Sequence, residues 1–308
     1  MTLRKPRPLR PGDTIGIVSP SSPITSEVLE RGLQLFRDRG YKIKLFPHVL
    51  EHKGFLAGND AVRAADLMSA FLDPEVDGIW CSRGGYGSAR LFPFLDFDAM
   101  AATGKLFAGF SDITSLHLAL NHAGLATIHA PMIMTLAYDR IPEVYESVWS
   151  LVEGKPTWPT HQFTPTTVKP GVATGVITGG CMILMCDSIG TQYPIDAKGK
   201  LLFIEDVDEN PHRVDAMLTH LKNAGVFDHA AGILIGEMTR TDEKADEAIG
   251  AAPWREIVKE RLADVDCPIV MDVPIGHHKD MLSFAMGVKA RMDASTGRVE
   301  YLENPTCE

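Results

Sequence analysis

The 308-residue chain lacks several features that would each name a class of protein. It has no uninterrupted apolar run long enough to cross a bilayer, which takes about 20 residues. Its opening, Met1-Thr2-Leu3-Arg4-Lys5-Pro6-Arg7-Pro8, is basic but carries no apolar stretch of the kind a secretory signal needs. The five cysteines, Cys81, Cys181, Cys186, Cys267 and Cys307, show neither metal-ligand spacing nor a disulfide framework, and their odd number suits a reducing compartment. Basic excess is absent too: the net charge is −10, the wrong sign for a surface that neutralises nucleic-acid phosphates. A small anionic ligand held by one or two arginines is not excluded. The expectation is a cytoplasmic protein of the bacterial type, with no membrane and no nucleic-acid partner. What is present, 45% hydrophobic and 23% charged residues, is ordinary for a globular protein, and the length suits two domains.

Short apolar runs alternate with helical patterns through the first third. Thr14 to Val18 reads as a buried strand that ends in Ser19-Pro20-Ser21-Ser22-Pro23. A helix follows with Val28, Leu29, Gly32, Leu35 and Phe36 on one face and Gly40 past its end. Tyr41 to Phe46 is a second strand. Asn59 or Asp60 caps a helix with Val62, Ala65, Met68, Phe71 and Leu72 inward, and Asp73-Pro74 stops it. Strands at Gly78 to Cys81, Leu106 to Ala108 and Ala126 to Ile128 complete the set. Such alternation implies a parallel sheet covered on both faces, with ligands beyond the carboxyl ends of its strands. Three of those ends are chemically unusual: Ser19-Pro20-Ser21, Arg83-Gly84-Gly85-Tyr86-Gly87 and Gly109-Phe110-Ser111-Asp112. Between about 136 and 170 the prolines Pro142, Pro156, Pro159, Pro165 and Pro170 suggest a linker. The reading is therefore an α/β domain over 1–135, a linker over 136–170 and a second domain over 171–308. The latter mixes strands (Lys200 to Glu205, Ala231 to Gly236, Pro268 to Met271), a helix (Pro211 to Asn223) and a terminal hairpin turning at Ala294-Ser295-Thr296-Gly297.

Three segments carry candidate chemistry. Ser111 lies on a tight strand-to-helix turn that would expose its hydroxyl beside helix N–H groups, the arrangement of a nucleophile elbow. The full G-x-S-x-G pattern is interrupted by Ile113, and Ser111 also suits a plain N-cap. Glu205, the first acid off its strand in Glu205-Asp206-Val207-Asp208-Glu209, is either a triad acid or part of a solvated acidic loop. Gly276-His277-His278 offers the general base a serine hydrolase requires, or two surface histidines. His117 and His129 are weaker candidates. The Arg83 to Gly87 loop lacks the Lys-Ser/Thr of a P-loop; its exposed N–H groups could cradle a phosphate or form an oxyanion hole. No His/Cys cluster or calcium-loop pattern marks a metal site.

Together, Phe55-Leu56-Ala57-Gly58, Ser82 to Leu91 with its Arg-Gly-Gly-Tyr-Gly core, Gly109 to Thr114, Ile204-Glu205-Asp206 and Gly276-His277 resemble the LD-carboxypeptidases of serine peptidase family S66. Gly12-Asp13-Thr14-Ile15-Gly16-Ile17-Val18-Ser19-Pro20 also fits, so the resemblance runs from residue 12 to about 290. It implies a flavodoxin-like N-terminal parallel-sheet domain and a smaller, mixed, β-rich C-terminal domain. It further implies a catalytic triad of Ser111, Glu205 and His277, and an oxyanion hole from the N–H of Asp112 and of Gly84 or Gly85. Members use no metal or other cofactor and are commonly homodimers. Their typical reaction removes the terminal D-alanine of a murein tetrapeptide during cell-wall recycling. A second branch, similar to the microcin C immunity protein, hydrolyses peptidyl or aminoacyl nucleotides; the absence of a long aromatic-rich insertion between Gly175 and Glu205 favours the murein branch. A non-enzymatic flavodoxin-like binding module is the third reading, disfavoured by the triad. Gly179-Gly180-Cys181 departs from the family's usual Gly-Gly-Asn. Arg83, the nearest cation to the Gly-rich loop, is expected to hold the substrate's terminal carboxylate or to brace the loop, unless it is a plain surface arginine.

Overall fold

The computed structural model describes residues 3–156, 163–246, 248, 250 and 252–307. The chain forms two compact units. One comprises Met1–Thr157 with Ser283–Val288 and Asn304–Glu308, the other Trp158–Leu282 with Lys289–Glu303.

The first unit begins as the alternating pattern predicts: β1 (Thr14–Val18), α1 (Ser26–Asp38), β2 (Lys42–Leu45), α2 (Asp60–Leu72), β3 (Gly78–Cys81), α3 (Phe97–Thr103), β4 (Leu106–Gly109), α4 (Thr114–His122), β5 (Thr127–His129), α5 (Ile133–Leu136) and α6 (Pro142–Val152). The first five strands of its sheet pair in parallel in the order β2-β1-β3-β4-β5. The direction of winding reverses between β1 and β3, which opens a crevice at their carboxyl ends. β3 and β4 are apolar and buried throughout, as central strands covered on both faces must be. Thr25 and Asn59 cap α1 and α2 through their side-chain oxygens. Gly32 lets α1 abut α5, since a Cβ there would lie 2.3 Å from the Ile133 carbonyl.

Two helix faces differ from their apolar patterns. On α1 it is Leu33, not Leu35, that joins Leu29, Gly32 and Phe36 inside. On α2 the buried face is Ala64, Leu67, Ala70 and Phe71, together with the charged Arg63 and Asp66, while Leu72 is exposed. Buried polar partners turned that helix: Asp66 accepts from the His48 N–H and ring, and Arg63 reaches loop carbonyls. The stretch 136–170 expected as a linker contains α6, with Pro142 in its first turn where a missing N–H costs nothing. Pro159 lies outside the described residues.

The second unit is built from β6 (Thr166–Lys169), β7 (Val172–Cys181), α7 (Met182–Ser188), β8 (Lys200–Val207), α8 (Pro211–Asn223), β9 (Gly232–Thr239), α9 (Trp254–Arg261) and β10 (Ile269–Met271). The chain next contributes β11 (Phe284–Met286) to the first unit, antiparallel to β5, and then forms β12 (Lys289–Asp293) and β13 (Arg298–Tyr301). This mixed sheet has the order β13-β12-β7-β8-β9-β10-β6, with β7 to β10 parallel and antiparallel strands at both edges. Among the described residues no helix is long and apolar enough to cross a membrane.

Candidate active site

At the carboxyl end of β4 the chain turns sharply into α4 through Ser111, whose φ is +62°. A left-handed conformation at a residue with a Cβ costs ~1–2 kcal/mol. It is the strained turn that holds a nucleophile's hydroxyl clear of the backbone. His117 props the approach to this turn. It is fully buried, and burial pushes its pKa down to about 3, so the ring is neutral. Nε2 donates to the Gly109 carbonyl at 2.9 Å, which leaves Nδ1 to accept from the Thr127 hydroxyl at 2.9 Å. His117 therefore serves the fold here and not as a base.

The Gly-rich loop after β3 comes up against Ser111. A Cβ on Gly84 would lie 3.0 Å from Ser111 Cβ and 3.1 Å from its Oγ, so the main chain runs tightly against the serine here. Gly85, with φ +104°, faces Ser22 so tightly that a Cβ would meet its Oγ at 2.3 Å. The Ser22 N–H donates to the Gly84 carbonyl at 3.1 Å. Arg83 is half-buried and donates from Nη1 to the Pro23 carbonyl at 2.8 Å. The three unusual strand ends thus meet at one edge of the sheet.

In the second unit, Glu205 lies near the end of β8 and is fully buried, inside the strand and not on a solvated loop. Its Oε2 accepts from His277 Nδ1 at 2.7 Å and from the His277 N–H at 3.2 Å. That contact fixes the ring: Nδ1 carries the proton, leaving Nε2 as the basic nitrogen. Burial works against the imidazolium, but the charge and hydrogen bond of Glu205 outweigh it, helped by Asp206 and Asp208, and the His277 pKa is raised above the ordinary value. Gly276 makes the contact possible. Its φ is +79°, and a Cβ would fall 2.2 Å from the Glu205 carboxylate. The neighbouring His278 is engaged elsewhere, its Nδ1 accepting from the Asp280 N–H at 3.0 Å.

Asp206, buried beside Glu205, entered the sequence reading only as part of the Ile204-Glu205-Asp206 segment, with no role of its own. Its carboxylate accepts from the N–H groups of Ile183 (2.9 Å) and Val207 (2.8 Å) and from Cys181 Sγ at 3.7 Å. Burial and the charge of Glu205 push its pKa up to about 7. Cys181 caps α7 and is buried; burial and these two acids push its thiol well up, which leaves little thiolate. Among the described residues no group of three or more His, Cys, Asp or Glu side chains is placed to hold a metal ion.

Residues 15–130 match the LD-carboxypeptidase N-terminal domain, and 174–292 match the LD-carboxypeptidase C-terminal domain. The chain belongs to the LD-carboxypeptidase family. It is 37% identical to a putative carboxypeptidase of Streptomyces coelicolor, over 96% of this chain and 95% of that protein. It is 34% identical to a probable murein peptide carboxypeptidase of Bacillus subtilis, over 94% of this chain and 92% of that one. Among solved structures it resembles the microcin C7 self-immunity protein in complex with aspartyl sulfamoyl adenosine, with a TM-score of 0.88, 25% identity, and coverage of 98% of this chain and 99% of that chain. As a family member the chain is a serine-type LD-carboxypeptidase, a hydrolase. The structure brings Glu205 and His277 together within one unit, and Ser111, Gly84, Gly85 and Asp112 together within the other.

Proposed function

We propose that this LD-carboxypeptidase hydrolyses the L,D peptide bond to the terminal D-alanine of murein tetrapeptides, with Ser111 as nucleophile, His277 as general base and Glu205 as the acid that orients it. The observation that carries the reading is the 2.7 Å contact from His277 Nδ1 to Glu205. In this reading His277 Nε2 takes the Ser111 proton as Oγ attacks the carbonyl carbon. The same proton then passes to the leaving amine of D-alanine, and water repeats the sequence on the acyl-enzyme. The N–H groups of Asp112 and of Gly84 or Gly85 receive the oxyanion, a term worth about 10²–10³ in rate per donor. Glu205 stabilises the imidazolium, in keeping with the raised His277 pKa. The hydrogen bond from Arg83 to the Pro23 carbonyl supports a loop-bracing role for Arg83 over direct capture of the substrate carboxylate. The enzyme works in the cytoplasm as a homodimer.

The murein substrate is supported by the 34% identity to a probable murein peptide carboxypeptidase. A second reading keeps the same chemistry on a peptidyl or aminoacyl nucleotide, and the likeness to the microcin C7 immunity protein favours it. Against it, the connection from Ile189 to Gly199 carries a single aromatic side chain, Tyr193, with which to stack on a base. The deciding experiment incubates the purified protein separately with murein tetrapeptide and with an aminoacyl sulfamoyl adenosine and identifies products by mass. Release of D-alanine from the first alone is expected, and abolished in Ser111→Ala. Turnover of the nucleotide alone would overturn the murein assignment, and an active Ser111→Ala would overturn the nucleophile.

A further inference from the structure

The side chain of Asp112 has no part in the triad, yet it is buried at the junction of three loops with 2% of its surface exposed. Its Oδ2 accepts from Ser21 Oγ at 2.5 Å and from the Ser88 N–H at 2.8 Å. Its main-chain carbonyl accepts from Ser88 Oγ at 2.6 Å. Ser21 and Ser88 are themselves fully buried. Burying a carboxylate is costly unless donors compensate, and here one oxygen gathers donors from two loops that are 67 residues apart in sequence (88 − 21).

A second clamp repeats the pattern with opposite charge. The Arg63 side chain is fully buried. Its Nη1 donates to the carbonyls of Pro20 and of Gly87, the latter at 2.9 Å, and Nη2 pairs with Asp60 at 2.5 Å. The same two loops are thereby tied twice, Ser21 to Ser88 through Asp112 and Pro20 to Gly87 through Arg63. Gly84 precedes the tied Gly87 and Ser88 in one loop, its carbonyl accepts from the Ser22 N–H of the other, and its backbone meets Ser111. A loop with three glycines in five residues is conformationally free, and its N–H groups stabilise an oxyanion only if they are already fixed where the charge develops.

We propose that the Asp112 carboxylate is a positioning residue for the reaction: by holding Ser21 and Ser88 it sets the Gly84–Gly85 amides against the Ser111 hydroxyl. The role rests on Ser111 being the nucleophile and acts through the loop, without touching substrate. Asp112→Ala removes both ties, Ser21→Ala removes the Ser21 hydroxyl's tie without changing charge, and Asp112→Asn keeps an oxygen able to accept both donors.

The test measures kcat and KM on the tetrapeptide per reactive serine, counted by stoichiometric fluorophosphonate labelling, for these variants and for Ser111→Ala. The expected result is a fall in kcat of about 10²-fold for Asp112→Ala and about tenfold for Ser21→Ala, with KM within about threefold. Asp112→Asn should recover most of the loss, and the rate of fluorophosphonate labelling should fall in step with kcat. If Asp112→Ala does not fold, Ser21→Ala and Asp112→Asn carry the test. Wild-type kcat per labelled serine in the folded variants, with Ser111→Ala inactive, overturns the positioning role and leaves the nucleophile standing. The same holds if activity falls only with the amount of folded protein. An active Ser111→Ala removes the nucleophile itself, and with it this role.

Discussion

At the edge of the proposed nucleophile, Ser111 is surrounded by loops from separate stretches of sequence, held by side chains that bond to main-chain groups: Asp112 to Ser88, Arg63 to Pro20 and Gly87, Arg83 to Pro23, His117 to Gly109. At the edge of the proposed acid and base, Glu205 belongs to a strand and meets His277 through one side-chain contact, with Gly276 leaving room for it. The first edge fixes backbone amides, and amides can be aimed only by holding the loops that carry them. The second fixes a ring, which one short hydrogen bond to a rigid carboxylate can do. Function at the first edge is therefore spread over many weak ties, whereas at the second it is concentrated in a pair.

If that contrast is right, the sharpest losses come from the concentrated edge. His277→Ala should lower kcat by about 10⁴-fold or more, whereas His278→Ala should stay within about threefold of wild type. Steady-state kinetics on the tetrapeptide reads both, and the reverse ranking would move the base by one residue.

Gly276→Ala tests the same edge through space alone. The added methyl would have to displace the Glu205 carboxylate and adopt φ +79°, so a loss of about 10²-fold in kcat is expected although no catalytic group is removed. A near-wild-type rate would show that the contact tolerates repacking.

The pH profile should separate the acid from its neighbours. With His277 as the proposed base, which works when neutral and whose pKa is raised, the acid limb of kcat/KM should lie above the ordinary histidine value of 6.5. In Glu205→Gln the lowering effect of burial is left largely unopposed, and that limb should move to lower pH; Asp206→Asn, which removes a smaller contribution, should move it less. Stability carries the matching sign. A folded pKa above the unfolded one makes the His277–Glu205 pair fully stabilising below about pH 6.5 and progressively less so as pH rises through the folded value. Denaturant midpoints of wild type and Glu205→Gln should thus converge at alkaline pH.

The smallest effect is expected at Cys181, which stands where the family usually has asparagine. Its buried thiol lies within reach of Asp206 and carries little thiolate, so Cys181→Ala should keep activity within about threefold. Thiol alkylation, which finds Cys307 as the exposed cysteine among the described residues, should leave turnover intact; inactivation blocked by Cys181→Ala would give that thiol a direct part.

By itself the sequence determined the alternation of strands and helices, the parallel first sheet, the terminal hairpin, and the strand ends where chemistry gathers. Apolar periodicity and turn residues report local backbone, and Gly109-Phe110-Ser111 or Gly276-His277 are turns whose chemistry is written next to them in the chain. The pairing of His277 with a residue 72 positions away was reached only through family resemblance. Tertiary structure alone decided the inward face of α2, where buried Arg63 and Asp66 override the apolar stripe, and the departure of Phe284–Met286 to the other unit's sheet. It also decided the second use of Asp112, whose N–H belongs to a legible turn while its carboxylate serves loops 91 and 24 residues distant. A buried charge is stable only where the fold delivers its donors, and no local pattern records which distant loop will bring them.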